Sequence, residues 1–189
     1  MNQGFDDFNT DPSNPFFLHS SENPSLILVS PLFNGKNFHS WSRAMKLVLQ
    51  SKNKLNIIDH NITQPPFSSP LYAQWLRCNT MILSWIQHSV EESIVKSILW
   101  INSAAETWQD LYERFCQGNM FRIAELQEDF YKLNQGNLSI SDYFTQLKIL
   151  WEEIENFRSI GHCRCSMPCS CGIIELVKAY RDQDYIIRF

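Results

Sequence analysis

Residues 14–59 read NPFFLHSSENPSLILVSPLFNGKNFHSWSRAMKLVLQSKNKLNIID. An apolar run from Leu26 to Val29 meets a turn at Asn34-Gly35-Lys36-Asn37, and a helix is predicted to open beyond it at Ser40-Trp41. Phe38, Trp41, Met45, Val48 and Leu49 recur at the three- and four-residue steps that put side chains on one helix face. Arg43, Lys46, Lys52 and Lys54 mostly take the other face. Such a stretch predicts a structural unit that fixes one lobe of a helical protein. Nothing in it has the pattern of a catalytic site.

Working outward, residues 1–13 are polar, acidic and turn-rich, which predicts a flexible tail. The run 25–33 is too short to decide between a strand and an extended arm packed on helices. Prolines mark 64–70 as a loop, and a helix with Trp75, Leu76, Ile82 and Leu83 on one face follows, with a polar Asn79 in the row. A third helix is expected from Val90 to Trp100. Ser103 with Glu106 forms a capping box for a fourth, which carries Trp108, Leu111 and Phe115. A fifth runs from about Phe121 to Leu133. Ser139 with Asp142 opens a long sixth whose apolar row is Phe144, Leu147, Leu150, Trp151 and Ile154. Ile174, Leu176, Val177 and Tyr180 suggest a last helix, and the chain stops inside an apolar pattern, as expected of a truncated copy. The sum is an all-α bundle of about six to seven helices with an extended amino-terminal arm. Two small lobes are expected, 14–101 and 102–189, the second holding a Cys-rich loop at 161–172.

Composition agrees with a packed protein. Hydrophobic residues make up 44% of the 189 and charged residues 19%. The six tryptophans fall mostly in helical patterns, where their large rings suit a core. Trp41, Trp85, Trp108, Phe115, Phe144 and Trp151 are the expected structural core. A formal net charge of −4 argues against strong nucleic-acid binding, which needs a local excess of Lys and Arg. Arg43, Lys46, Lys52 and Lys54 form the nearest candidate for RNA contact, and a solvated helix face explains them equally well. No apolar run reaches membrane-spanning length, and the acidic amino terminus has no signal-peptide core. The expected location is therefore the cytoplasm, with the nucleus as alternative, where the six cysteines stay reduced.

Ordered blocks of residues resemble the amino-terminal gag region of plant copia-type LTR retrotransposons. They begin with Asn14-Pro15-Phe16-Phe17-Leu18-His19 and Leu28-Val29-Ser30-Pro31-Leu32-Phe33-Asn34-Gly35-Lys36-Asn37-Phe38-His39-Ser40-Trp41. Lys52-Asn53-Lys54-Leu55, Leu83-Ser84-Trp85, Ala104-Ala105-Glu106-Thr107-Trp108 and Arg114-Phe115-Cys116-Gln117-Gly118-Asn119 continue them, with Pro168 to Gly172 near the end. The resemblance implies a capsid-like, non-enzymatic protein that self-associates to package element RNA. The zinc knuckle that typically follows this region in gag is absent from the sequence. The alternative is a monomeric remnant or domesticated module that holds another protein.

Motifs for chemistry are sparse. Cys163, Cys165, Cys169 and Cys171 could close around one zinc ion, yet C-x-C spacing leaves little backbone to wrap it, and a reduced loop is the competing reading. The sequence lacks the G-x-S-x-G, P-loop, G-x-G-x-x-G and H-E-x-x-H signatures, as well as the protease and reverse-transcriptase motifs of retroelements. Cys78 and Cys116 sit on helical patterns as small buried hydrophobes. Glu152, Glu153 and Glu155 read as the solvated face of the sixth helix. No catalytic residue, small-molecule substrate or membrane partner is expected.

Overall fold

The structure is a computed structural model that describes residues 11–116, 120–158, 160 and 172–188. Among them are eight helices: α1 (Phe38–Ser51), α2 (Leu55–Ile58), α3 (Tyr72–His88), α4 (Glu92–Ile98), α5 (Ala104–Phe115), α6 (Met120–Lys132), α7 (Ile140–Phe157) and α8 (Ile173–Arg188). The all-α expectation holds. The four-residue α2 is additional to the helices read from the sequence, being too short to show a period.

Contacts divide the chain after Cys116, into a first unit ending there and a second unit from Gln117 onward. The boundary is therefore not near Asn102, because α5 buries Ala104, Trp108 and Leu111 in the first unit's core. Residues 1–10 of the expected tail lie outside the described residues.

In the first unit, helix α1 begins at Phe38, two residues ahead of expectation. The reason is the Asn34–Asn37 turn. Asn37 Nδ2 donates to the Leu32 carbonyl (3.1 Å), Asn37 Oδ1 accepts from Asn34 N–H (3.0 Å), and Asn34 Oδ1 accepts from Lys36 N–H (2.9 Å). Gly35 supplies the left-handed conformation at φ +86°, which costs glycine nothing. The helix then buries Phe38, Trp41, Met45 and Leu49. It ends where Asn53 turns left-handed (φ 55°), a conformation that asparagine tolerates at helix ends, and Lys54 N–H closes on the Leu49 carbonyl at 2.7 Å.

The core centre is aromatic. The Trp41 ring stacks on Phe33 at 5.2 Å and on Trp108 at 5.7 Å, while Phe115 meets Phe33 edge-on at 4.8 Å. Trp85 is buried and Phe115 is half-buried against the same cluster. Trp100 departs from the reading that tryptophans pack inside: it is 89% exposed. Helix α4 stops at Ile98 and the chain turns toward α5, leaving Leu99 and Trp100 outside.

Asn79 explains its place in an otherwise apolar row. Fully buried on α3, it donates through Nδ2 to the Asn102 carbonyl (2.7 Å) and accepts from Ala104 N–H through Oδ1 (2.8 Å). It thus caps the start of α5 from a neighbouring helix, while Ser103 Oγ accepts from Glu106 N–H at 3.3 Å. Asn79→Leu keeps the volume and strands a buried donor and acceptor. The expected loss is about 2 kcal/mol in urea unfolding, and an unchanged midpoint would show that the pair is dispensable.

In the second unit, α6 buries Ile123, Leu126 and Phe130, and α7 buries Tyr143 and Leu147. Ser139 Oγ accepts from Asp142 N–H (3.1 Å) and donates to its carboxylate (2.7 Å), fixing the start of α7 as expected. Phe144 was expected in the core and is 40% exposed. The buried stripe runs one residue earlier, through Tyr143. Trp151 is half-buried, 5.7 Å from Phe130 and 5.2 Å from Tyr185. The acidic group of α7 is more than a solvated face. Glu153 pairs with Arg122 of α6 at 3.1 Å, and Glu155 pairs with Arg181 of α8 at 2.9 Å.

Candidate functional site

The four basic residues proposed for RNA contact serve different ends. Lys54 is 2% exposed, and its Nζ donates to the carbonyls of Pro15 (2.8 Å) and Phe17 (2.6 Å). Burial pushes its pKa down from 10.5, because the charged form loses its water. Lys52 donates to both oxygens of the Glu22 carboxylate at 3.0 and 2.9 Å and lies 5.1 Å over the Trp85 ring. Lys46 pairs with Asp59 at 3.4 Å and lies 5.7 Å from the Trp108 ring centre. Arg43 is exposed on α1. Lys54 and Lys52 are thus clasps for the segment that precedes α1, and the four do not form one basic surface.

Most of the polar groups lining that segment bind its backbone. Trp85 Nε1 donates to the Asn23 carbonyl at 2.8 Å, and Ser84 Oγ donates to the Pro24 carbonyl at 2.9 Å. Leu28 N–H donates to Ser89 Oγ at 3.0 Å, and Asn53 Nδ2 donates to the Ser13 carbonyl at 2.7 Å. At the core, the Ser89 carbonyl accepts from both Trp41 Nε1 (2.8 Å) and Phe33 N–H (3.0 Å), and Glu91 N–H donates back to the Phe33 carbonyl (2.9 Å). These last two bonds make one parallel bridge between Phe33 and Val90. The 25–33 run is therefore an arm held on helices, and not a strand of a sheet.

Cys78 closes the clasp from α3. Its thiol donates to the Phe16 carbonyl at 3.3 Å, and burial raises its pKa above 9.0, against the opposing pull of the Lys54 charge. A thiol held protonated under a covering segment is no nucleophile. Cys116, half-buried, lies at the end of α5 beside Tyr112, whose hydroxyl pKa it raises by hydrogen bonding. Cys163, Cys165, Cys169 and Cys171 fall outside the described residues, so the zinc reading rests on sequence alone. Among the described residues no cluster of metal-ligating side chains occurs, and no helix is long and apolar enough to cross a membrane.

Several grooves open on the first unit. One, of about 580 Å³, runs between the arm and α3, with Leu18, Pro24, Leu76 and Met81 as apolar walls and His19 and Arg77 beside them. Another, of about 410 Å³, lies beside α1 and holds Arg43, Lys46 and Asp59 with Trp108 and Tyr112. Sequence reasoning found the residues of the clasp and missed their role. The signal for it was two lysines spaced to bracket a helix end beside a proline-rich arm.

The segment that carries the arm, the turn, α1 and α2 also gives the match to known proteins. The family model described as Gag-polypeptide of LTR copia-type matches residues 19–66. No curated protein and no solved structure matches the chain. Residues 19–66, from His19 of the arm through α1 and α2, are thus similar to the gag polypeptide of copia-type LTR elements.

Proposed function

We propose that this chain is a shell-forming gag protein that self-associates and encloses element RNA, without enzymatic activity. A gag region is structural in role, and here the matched segment holds an arm against a helical core. The observation that carries self-association is the large apolar surface left on both units. Leu99 and Trp100 stand out on the first, and Phe121, Ile149, Ile186 and Ile187 on the second. Where exposed apolar side chains adjoin, as Leu99 and Trp100 do in the chain, they suit the repeated weak contacts between copies that a shell uses. RNA would be enclosed through contacts other than the Lys46, Lys52 and Lys54 ammonium groups, which are engaged with partners of their own.

Light scattering after size-exclusion chromatography, over a concentration series with and without RNA, tests this. Concentration-dependent multimers, with particles in negative stain, are the expected result. A monomer at every concentration sinks the reading. It would favour the second one, a protein-binding module, for which the groove between the arm and α3 is the specific support.

A further inference from the structure

Trp100 is held out on a fixed turn. Ile101 N–H donates to the Ile98 carbonyl at 3.2 Å, and Ile98, just before the turn, is fully buried. Just after it, Asn79 holds the Asn102 carbonyl (2.7 Å) and Ala104 N–H (2.8 Å). The indole between these anchors is 89% exposed, more than any other large apolar side chain among the described residues. Phe67 is nearly as exposed but leans on Tyr72 at 4.5 Å, whereas Trp100 meets no other ring among the described residues. A tryptophan presented on an anchored turn loses little freedom on binding, and tryptophan is prominent among the side chains that dominate interfaces.

The second unit holds a hollow of about 230 Å³, lined by Phe130, Tyr131, Trp151 and Ile154 with Arg158 and Arg181. Small-molecule sites run to roughly 300–1,000 Å³, so this one suits a single large side chain better than a ligand of that kind. Phe130 is buried, with the Trp151 ring 5.7 Å from it. Arg181 is pinned by the Glu155 carboxylate and the Arg158 carbonyl, each at 2.9 Å. Arg158 is exposed, and among the described residues no carboxylate pairs with its guanidinium. Guanidinium groups set among aromatic rings attract the face of an indole more than that of any other side chain. Asp184, also in the lining, offers an acceptor for an indole N–H. The charges agree as well, since shortly after Trp100 the first turn of α5 carries the exposed Glu106, opposite in sign to Arg158.

Resting on the self-association reading above, we propose that Trp100 of one copy enters this hollow on the second unit of another copy. Knob and hollow are different surfaces, so the contact is heterologous. Each copy gives one and receives one, and the pairing repeats from copy to copy as a shell requires.

The test uses two full-length variants. Trp100→Glu keeps the hollow, and the exposed pair Tyr131→Glu with Arg158→Glu keeps the knob. In sedimentation equilibrium each alone should associate at least 100-fold more weakly than the unaltered chain, with helical circular dichroism unchanged. Mixed one to one they should pair, because each supplies what the other lacks, and stop at a two-chain complex. Multimers undiminished in either variant, or a mixture that stays monomeric, overturn the Trp100 contact and leave self-association standing. Unaltered chain that is monomeric at all concentrations overturns both. Should a variant lose helicity, p-benzoylphenylalanine replaces Trp100 in the otherwise unaltered chain, and its photo-cross-links are mapped by mass spectrometry. Links between copies to the residues lining the hollow support the contact, and links only elsewhere overturn it.

Discussion

Trp41→Ala is expected to cost the first unit roughly 3–5 kcal/mol, the range for deleting a buried aromatic side chain. Trp41 is almost wholly buried, lies between Phe33 and Trp108, and donates its indole N–H to the Ser89 carbonyl. Typical domains are stable by only about 5–15 kcal/mol, so at least about a fifth of the margin would go. Urea unfolding followed by circular dichroism measures it. Trp41→Phe separates the two contributions, since it keeps a ring in the stack and removes the donor. Its cost should be near 1 kcal/mol from the hydrogen bond plus the smaller ring, because the Ser89 carbonyl still accepts from Phe33. If alanine costs no more than phenylalanine, the aromatic stack is not what holds α1 to the arm.

Lys54→Met is expected to release the arm. Methionine matches the apolar stem and removes the ammonium, leaving the Pro15 and Phe17 carbonyls without their donor. Charged hydrogen bonds contribute about 1.5–3 kcal/mol each, and relief from burying the charge offsets part of the loss, so about 3 kcal/mol is expected. The readout is Cys78, which lies under the arm. Opening cheaper by that amount raises its alkylation rate about 100-fold at the same pH. The chemistry of the thiol itself pushes the other way. Removing the Lys54 charge takes away a pull that lowers the Cys78 pKa, so within the closed protein the thiol would become less reactive. Faster labelling therefore reports opening alone. An unchanged rate would show that the lysine does not hold the arm.

The same residue sets a pH signature. Its folded pKa lies below 10.5, so between that lowered value and 10.5 the unfolded chain binds more protons than the folded one. Stability from this group accordingly rises with pH across that window, and Lys54→Met should remove the rise.

Local chemistry was legible from the residues, and long-range partnership was not. The stripe of Phe38, Trp41, Met45 and Leu49 and the caps at Ser103 and Ser139 follow from rules that act within a few residues, and each is found in place. Lys54 could not be told from a solvated lysine, because its acceptors lie 39 and 37 residues earlier in the chain. Phe144 and Tyr143 are neighbours on the sequence, and either satisfies a helical period with Leu147. Only packing chooses Tyr143. In sequence the loop near Asn102 looks like a unit boundary, because loops look alike there. Asn79 makes that loop an interior joint by binding both its sides.

The arm also imposes an order on synthesis. Its docking groups reach as far as Trp85 and Ser89, some 62 and 61 residues after the backbone they hold. At roughly 5–20 residues per second, translation takes about 3–12 s to supply them after the arm itself has been made. Through that interval Phe16, Phe17 and Leu18 have no groove to enter. A nascent chain therefore presents an unsheltered apolar segment to chaperones, and to neighbouring copies on the same message, before its first helices can close over it.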